Sequence, residues 1–391
     1  MSDFPDPKPM TVLDARVVTG TGGGPEKTIL NSPRFLQPFG YRMICAYLHP
    51  PNDSGFAVLR HKAQSLAAPL AEIVDRGPWD WRVVRQLLRL CRKEKVVIFH
   101  GHDYKTNVLG LLLRSFYPMR LVTTVHGWVR HTSRTPVYYR IDKSCLPRYE
   151  RVICVSHDLY RACRSLGVSR RRLVLLENGI DLGSYTRTHT LVEAKQRLGF
   201  DPTRPLVGAV GRLSAEKGFD LLIEAVARLR SEGLSLQLVI VGEGEEQPRL
   251  QAMMQKWGFG VDGRLAGFQP DPRPFYEAMD LFVLSSLREG LPNVLLEAMA
   301  LRVPCVATAV AGVPRVLEDG INGRVVPPGS VSALQAGIHE LLSNPARRET
   351  LAAAAYQTVA NQFSFAQRME RLARLYDNLL RGLSPDSKAS R

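Results

Sequence analysis

Two carboxylates, Glu289 and Glu297, flank the predicted start of a helix, and their chemistry depends on that position. The preceding apolar run, residues 280–284, is typical of a buried parallel strand. Pro292 suits the first position of a helix that continues to about residue 300. The N–H groups of such a helix start point at the carboxyl edge of the sheet, where diphosphates bind. The stretch therefore predicts an anion site.

The two glutamates indicate what else this site could bind. At about 1.5 Å of rise per residue, Glu297 lies roughly 7 Å into the helix. Neither carboxylate is expected to contact the phosphates, because like charges repel. Both can accept hydrogen bonds from hydroxyls on either side of a diphosphate, and a nucleotide sugar carries hydroxyls at both ends. The alternative is a pair of solvated glutamates at a helix start.

A second charged turn, residues 211–218, follows the first predicted strand of the second half of the chain. It carries Arg212 and Lys217 and leads into a predicted helix. Two cations and the amides of a helix start would neutralise a diphosphate leaving group. The alternative is structural, a salt bridge from Lys217 to Glu216 or Asp220.

A glycine-rich loop joins the first predicted strand, residues 12–18, to a helix that starts at about Pro25. Glycines there let the backbone approach a ligand closely and aim N–H groups at an anion. The dinucleotide-binding fingerprint is absent, because Pro25 stands where its third glycine belongs, and a nicotinamide dehydrogenase is therefore disfavoured. The glycines of this candidate phosphate loop are Gly22, Gly23 and Gly24.

Histidines follow two further predicted strands of the first half. His100 and His102 come after the strand at residues 96–99, and His126 ends the strand at residues 121–125. The carboxyl end of a central strand is where α/β proteins bind ligands. His100 and His102 could suggest a metal pair, but no third ligand is recognisable in the sequence. We therefore predict no metal and assign this loop to acceptor contact or to loop structure.

The chain of 391 residues carries a net charge of +15, and the excess is uneven. Residues 1–190 hold 29 Lys and Arg against 15 Asp and Glu, so nearly all of the excess lies there. Such surfaces attract nucleic acid, anionic lipid or phosphorylated substrates. Nucleic acid is disfavoured, because no recognition motif appears. The helix predicted at residues 81–95, basic on one side, is our candidate for contact with an anionic membrane surface; an ordinary surface helix is the alternative.

Localisation is predicted from what the sequence lacks. No apolar run approaches the roughly 18–20 residues of a spanning helix, and the N-terminal ten residues do not resemble a signal peptide. The six cysteines show no zinc or disulfide spacing. We therefore expect a cytoplasmic protein, peripheral on the cytosolic membrane face if the basic helix docks there.

Strands and helices alternate through the chain twice, which predicts an α/β protein with two doubly wound Rossmann-like domains facing each other across a cleft. The predicted boundaries are residues 1–185 for the first domain, 186–204 for a linker and 205–364 for the second domain, with a last helix at residues 365–381.

The order of motifs resembles family 4 of the retaining glycosyltransferases, which have the two-domain GT-B fold. The resemblance covers about residues 12–380 and is most specific in the second half. The motifs that carry it are Gly-Arg-Leu-x-x-Glu-Lys-Gly at 211–218, Val-Gly-Glu-Gly at 241–244, Gly267-Phe268, the two glutamates with seven residues between them, Gly312-Val313-Pro314, Asp-Gly-x-Asn-Gly at 319–323 and, in the first half, His102-Asp103, His126-Gly127 and Asn-Gly-Ile-Asp at 178–181.

The resemblance implies that the first domain binds the acceptor, that the second binds the donor and that the last helix completes the first domain. It implies roles for individual residues as well. Glu289 would contact hydroxyls of the donor sugar and Glu297 those of the ribose, while Arg212 and Lys217 would hold the diphosphate. His126 would reach the transferred sugar. His102 and Asp103 would lie on the acceptor side. Further donor contacts are implied for Gly22, Gly23, Gly24, Gly267, Phe268, Gly290, Leu291, Asn293 and Val294.

The resemblance also implies the reaction, transfer of a monosaccharide from a UDP- or GDP-sugar to a glycan or lipid-linked acceptor, with retention of anomeric configuration. Members of this family typically need no metal and no cofactor besides the donor. The alternatives are an epimerase or a glycogen- or sucrose-type synthase acting on a soluble acceptor. A catalytically silent binding module would be expected to have lost Glu289, Arg212 or Lys217, and all three are present.

Overall fold

The computed structural model describes residues 9–22, 24–78, 80–127 and 135–382. It divides into two compact units, the first comprising residues up to Asn178 together with those from Ala366 onward, and the second Gly179–Phe365. The first unit therefore ends seven residues earlier than the sequence predicts. The residues predicted as a linker belong to the second unit and contain a short helix. Gly23, predicted to approach the donor, lies outside the described residues.

The first unit is built on a seven-stranded parallel sheet. Its strands are Met10–Val17 (β1), Tyr41–His49 (β2), Leu70–Val74 (β3), Val96–Gly101 (β4), Arg120–Val125 (β5), Arg151–Cys154 (β6) and Leu173–Leu175 (β7). Its helices are Gly24–Leu36 (α1), Phe56–Ser65 (α2), Trp81–Glu94 (α3), Tyr104–Arg114 (α4), Thr135–Cys145 (α5) and His157–Ser165 (α6).

The second unit has a six-stranded parallel sheet. Its strands are Leu206–Val210 (β8), Gln237–Val241 (β9), Gly263–Leu265 (β10), Leu281–Leu284 (β11), Cys305–Thr308 (β12) and Arg324–Val326 (β13). Its helices are Leu191–Arg197 (α7), Phe219–Ser231 (α8), Gln247–Lys256 (α9), Arg273–Ala278 (α10), Asn293–Ala300 (α11), Val331–Leu342 (α12) and Pro345–Gln362 (α13). A last helix, Phe365–Leu380 (α14), begins at the end of this unit and lies almost wholly in the first.

Both sheets are doubly wound, as predicted. The first has the order β3-β2-β1-β4-β5-β6-β7 and the second β10-β9-β8-β11-β12-β13. In each, the first strand of the unit lies beside the fourth, and the strand order reverses there. Ligands of open α/β sheets bind outside the carboxyl ends of the strands at this switch point. The two switch points, β1/β4 and β8/β11, are thus where functional residues are expected.

Helix α3 shows how the sequence positions an element. Val83, Leu87 and Cys91 recur at helical spacing and are fully buried, while the Asp80 side chain accepts a hydrogen bond from the Arg82 backbone and caps the helix. The helix spans the predicted residues to within one position. Among the described residues, no helix combines the length and apolar character that a membrane crossing requires.

Two features of the fold differ from the sequence prediction. Pro292 occupies the N-cap position of α11, one residue before the helix, with an extended ψ of 115° rather than a helical one. Strands β3 and β13 and helices α2, α4, α5 and α6 were not predicted individually. Strand β3 has a single buried residue, Ile73, and α2 buries only three side chains, so their apolar periodicity is weak.

Candidate active site

The switch point of the second unit brings two predicted site residues into contact. Lys217 follows β8 and Glu289 follows β11, and these strands are neighbours in the sheet. The Lys217 ammonium lies 2.7 Å from Oε1 of Glu289. The Ser286 hydroxyl donates to the same oxygen at 2.7 Å. The Lys217 side chain is 21% exposed and that of Glu289 9%, so both charged groups stay within reach of a ligand.

The backbone of the two loops holds this pair in place. The Ser285 hydroxyl donates to the Lys217 carbonyl at 3.0 Å, and the Leu287 N–H donates to the Glu216 carbonyl at 2.8 Å. Gly218 has a φ of +60°, and a Cβ there would lie 2.4 Å from the Ser285 carbonyl oxygen. Any other residue at this position would push the loops apart. The motif glycine is thus explained by the close approach that aligns Lys217 with Glu289.

Arg212 takes a different position from Lys217. Its guanidinium contacts Glu216 at 2.6 Å, and both side chains are well exposed, at 47% and 36%. The sequence left open a salt bridge from Lys217 to Glu216 or Asp220. The structure instead pairs Arg212 with Glu216 and Lys217 with Glu289. An exposed pair of this kind contributes little to stability, so Arg212 can exchange its partner at small cost.

The start of α11 supplies hydrogen-bond donors beside this pair. Pro292 at the N-cap provides no side-chain cap, and Asn293 and Val294 begin the helix half-buried. Gly290 is exposed, and its carbonyl accepts the Gly312 N–H at 3.1 Å. Leu291 is buried. Amides at a helix start without a side-chain cap are suited to an anion.

Glu297 lies deeper than the sequence suggested. The residue is 1% exposed, and the Tyr276 hydroxyl donates to its Oε2 at 3.0 Å. The Tyr185 hydroxyl is a second partner, and burial followed by this carboxylate raises the pKa of Tyr185 well above its ordinary value. The predicted ribose contact is untested, and it requires one of these tyrosines to give way or share the carboxylate.

Gly267 and Phe268, the remaining predicted donor contacts of this unit, lie beyond β10. The Gly267 carbonyl accepts the Gly242 N–H at 2.9 Å, which joins two of the glycine motifs through their backbones. Phe268 is 42% exposed, which is unusual for a large apolar side chain. Its exposed ring is available to stack on a ligand.

The glycine loop of the first unit lies at the end of β1. Gly22 and Gly24 are exposed, as a close approach to a ligand requires. Glu26 in the first turn of α1 is buried and contacts the guanidinium of Arg16. A carboxylate at a helix start would repel a phosphate, and Arg16 offsets its charge.

A row of buried polar side chains occupies the switch point of the first unit. Oδ1 of Asp14 on β1 lies 2.5 Å from Nε2 of His102, which follows β4. Nδ1 of His102 lies 2.8 Å from Nε2 of His126, which follows β5. Asp14 is 2% and His102 8% exposed, whereas His126 is half-buried. Burial and the positive groups around it lower the pKa of His126 well below its ordinary value, so the ring is neutral.

His100 lies beside this row and uses both of its ring nitrogens. Nδ1 contacts the Tyr376 hydroxyl and Nε2 the Thr124 hydroxyl, each at 2.7 Å. Burial lowers the pKa of His100 to about 3, so this ring too is neutral. Asp14, His100 and His102 offer ligand atoms within 4.8 Å of one another, and Asp14 is the third candidate ligand that the sequence did not reveal. Because hydroxyls already engage both His100 nitrogens, hydrogen bonding accounts for this ring.

Asp103, predicted on the acceptor side, caps helix α4. Its carboxylate accepts the N–H groups of Lys105 and Thr106, each at 3.0 Å, and that of Val17 at 2.8 Å. It therefore joins the end of β1 to the start of α4. His102, predicted with it, contacts Asp14 and His126 through its ring. Contact of His102 and Asp103 with an acceptor stays a prediction.

Comparisons with known proteins agree with the fold and the motifs. Residues 22–184 match the family described as Glycosyltransferase Family 4, and residues 192–358 match Glycosyl transferases group 1. LpsE of Rhizobium meliloti, a lipopolysaccharide core biosynthesis glycosyltransferase, is 33% identical over 54% of this chain and 60% of its own length. CapM of Staphylococcus aureus, a capsular polysaccharide biosynthesis glycosyltransferase, is 25% identical over 77% of this chain and 82% of its own.

A solved structure extends the likeness over nearly the whole chain. HepE of Anabaena, in complex with UDP and glucose, superposes with a TM-score of 0.80 at 20% identity and covers 94% of this chain and 100% of HepE. At this identity the likeness concerns the fold, and it confirms the predicted GT-B class. The matched stretch spans about three fifths of LpsE.

Proposed function

We propose, on the premise that this chain belongs to the group 1 glycosyltransferases of family 4, that it transfers a monosaccharide from a nucleoside-diphosphate sugar to a glycan or lipid-linked acceptor. The relatives above are named for polysaccharide and lipopolysaccharide synthesis, and HepE was solved with UDP. The observation that carries the proposal is the Lys217–Glu289 pair at the β8/β11 switch point. In this pair a cation lies at hydrogen-bond distance from a carboxylate that can accept hydroxyl groups.

Lys217 and Glu289 can bind the donor nucleotide sugar while they keep their contact with each other. An ammonium has three donor hydrogens, so Lys217 can keep its contact with Glu289 and still donate to a phosphate oxygen. Oε1 of Glu289 accepts from Lys217 and Ser286, and Oε2 is the oxygen we assign to a sugar hydroxyl. The free amides at the start of α11 would bind the second phosphate, and Arg212 would leave Glu216 to join them.

The chemistry we propose is a same-face transfer with retention. As the bond between the sugar and the diphosphate breaks, negative charge develops on the departing phosphate, and Lys217 with the helix amides stabilises it. The phosphate then takes the proton of the acceptor hydroxyl. The charge of Lys217 fills the place that a divalent cation holds in metal-dependent transferases. We accordingly propose a reaction without metal or other cofactor.

The test combines binding with product analysis. Calorimetry with UDP, GDP and ADP should show tight binding of one nucleotide, weakened in Lys217→Ala. Turnover of the matching sugar should continue in EDTA, and NMR of the product should show the donor's anomeric configuration. Absence of binding for all three nucleotides would refute the transferase assignment. An inverted product would refute retention, a C-epimerised sugar would indicate an epimerase, and activity lost in EDTA and restored by Mg²⁺ or Mn²⁺ would refute metal independence.

We also propose that the acceptor side meets an anionic membrane surface through α3. Its exposed face carries Trp81, 63% exposed, and the basic residues Arg85, Arg89 and Arg92. No carboxylate among the described residues pairs with these three arginines, so their charge is available. Each basic residue held near an anionic surface adds about 1 kcal/mol. A lipid-linked acceptor would be encountered there.

Liposome co-sedimentation tests this surface. The protein should bind anionic vesicles at low salt and bind neutral ones weakly, and Arg85→Glu/Arg89→Glu should abolish most of the difference. The control is Arg170→Glu/Arg171→Glu, an equal charge change at exposed positions of the same unit. Equal loss in both variants would show that net charge, and not α3, is responsible. Equal binding to both kinds of vesicle would refute the membrane contact and leave the transferase proposal standing.

A further inference from the structure

Three side chains from neighbouring strands form a continuous row of close polar contacts in the first unit. Asp14 contacts Nε2 of His102, and Nδ1 of His102 contacts Nε2 of His126, at 2.5 Å and 2.8 Å. The rings of His102 and His126 are nearly parallel, with centroids 5.1 Å apart. The row starts at a carboxylate with almost no exposure and ends at a half-buried ring. It connects the interior of the sheet to a position that a ligand can reach.

The row has a direction, because its first member can only accept. Burial by itself would raise the pKa of Asp14, but its contact with His102 and the charge of Arg368 hold that pKa below its ordinary value, so the group is an ionised carboxylate. A carboxylate accepts hydrogen bonds and donates none. Nε2 of His102 must therefore carry the hydrogen that faces Asp14. In a neutral ring, the other nitrogen, Nδ1, is then an acceptor.

The same argument applies to the ring of His126. With a neutral His102 whose Nδ1 accepts, Nε2 of His126 must donate, and a neutral His126 then carries a lone pair on Nδ1. No described residue hydrogen-bonds to that Nδ1 atom. Among the described residues, the permanently charged groups that act on His126 are Arg16 and Arg368, and both oppose a second proton on the ring. His126 therefore offers a ligand an acceptor and not a donor.

We propose that Asp14 and His102 are positioning residues that fix the tautomer of His126, so that its Nδ1 accepts a hydrogen bond from a substrate hydroxyl. The proposal rests on the function proposed above, which supplies a hydroxyl-bearing sugar as the substrate. The proposed role also explains why a carboxylate is buried at Asp14, which neither helix capping nor core packing explains. A protonated His102 would still donate to Asp14 through Nε2, but its Nδ1 would donate to Nε2 of His126, and Nδ1 of a neutral His126 would then carry a hydrogen and act as a donor.

The experiment reads the tautomer directly in the full-length protein. Long-range ¹H–¹⁵N correlation spectra of histidine-labelled protein in EDTA, with His126→Gln to assign the resonance, should show His126 protonated at Nε2 and bare at Nδ1. Asp14→Asn and Asp14→Leu remove the obligate acceptor, and in both the single tautomer should give way to a mixture or to the reverse form. The control Thr124→Val removes a hydroxyl from His100 alone and should leave the His126 spectrum unchanged.

The outcomes separate this proposal from the transferase assignment. A wild-type His126 protonated at Nδ1, or a tautomer unchanged in both Asp14 variants, would overturn the proposal without reference to activity. A shift of these resonances by Zn²⁺ added without EDTA, with His100 and His102 as its ligands, would overturn it in favour of a metal site. If the tautomer changes as expected, kcat/KM for the sugar donor should fall about tenfold to a hundredfold in Asp14→Asn and stay near wild type in Thr124→Val. An altered tautomer with unchanged kcat/KM would remove the positioning role and leave the transferase proposal intact.

Discussion

The two sheets share one strand order, yet the residues at their switch points are of opposite kinds. At β8/β11 the side chains are an ion pair, Lys217 and Glu289, and both are partly exposed. At β1/β4 they are a carboxylate and two nearly inaccessible rings, Asp14, His100 and His102. The fold determines where a ligand would be received, and the local side chains determine which chemistry it meets.

The two switch points differ in how deeply their side chains are buried, and burial decides which charged groups each can hold. Burial disfavours the charged form of a histidine, and the pKa of His100 is lowered to about 3 for this reason. Lys217 instead lies 2.7 Å from a Glu289 oxygen and is 21% exposed to solvent. The first switch point is therefore suited to hydroxyl groups and the second to an anion. The proposed substrates carry both kinds of group, sugar hydroxyls and a diphosphate.

The largest effect is expected from removing the cation of the second switch point. Lys217→Ala should lower kcat by about 10²–10³, because a preorganised charge at the leaving group is lost. Arg212→Ala should also lower kcat, since Arg212 is assigned to the same clamp. Lys256→Ala, at an exposed position of α9, is the matched control and should be neutral. Steady-state kinetics decides, and a kcat within threefold of wild type for Lys217→Ala would contradict the clamp.

The first switch point should show its buried neutral ring as a pH dependence of stability. The pKa of His100 is about 3 in the folded unit against an ordinary value of 6.5, so between these values the unfolded state binds the additional proton. Stability is therefore fully present above pH 6.5 and is lost as the pH falls. From pH 7 to pH 5 this ring alone should remove about 2 kcal/mol.

The measurement is hydrogen exchange of peptides from β4 and β5, corrected for intrinsic rates. In His100→Gln, whose side chain does not titrate, the loss of protection between pH 7 and pH 5 should be smaller by that amount. His339→Gln, at an exposed histidine of α12 in the second unit, should behave as wild type. An unchanged pH dependence in His100→Gln would show that the ring is not held neutral.

The smallest effect is expected at Asp103, where the variants distinguish a structural role of the aspartate from a role in acceptor binding. Asp103→Ala should destabilise the first unit by about 0.5–2 kcal/mol in urea unfolding, because three backbone N–H groups lose their acceptor. Asp103→Asn keeps one oxygen to cap α4, but its amide NH₂ cannot accept the Val17 N–H, so we expect a smaller loss of stability than in Asp103→Ala. We expect it to retain the acceptor KM. A KM raised several-fold in Asp103→Asn would support the acceptor contact that the motif implies.

The second unit was the more predictable from its sequence, because its site residues lie in compact motifs. Lys217 and Glu289 were each identified from a turn between an apolar strand and a helix. Their mutual contact could not be identified in this way, since the two residues are 72 positions apart in the sequence. It follows from the strand order, which places the loop after β8 beside the loop after β11. A local pattern thus indicates the residues, and only topology indicates the pair.

The first unit was less predictable because its polar residues interact across strands. Strand β1 contains two charged residues, Asp14 and Arg16, and a carboxylate within a strand predicted to be buried was the available signal for Asp14. Asp103 was read as an acceptor contact, whereas the threonine three residues later is typical of a capping box. Glu297 was expected near a ribose, and the two tyrosines that bury it come from distant segments.

The contribution of α14 to the first unit has a consequence for the order of folding on the ribosome. Tyr376 bonds His100 across 276 residues, and Asp377 bonds Tyr41 across 336. The first unit therefore cannot acquire these contacts until α14 has been synthesised. The second unit, Gly179–Phe365, is continuous and can complete its sheet earlier. We expect the usual sequence of N-terminal folding first to be reversed here, with the surroundings of His100 and Tyr41 among the later parts to become ordered.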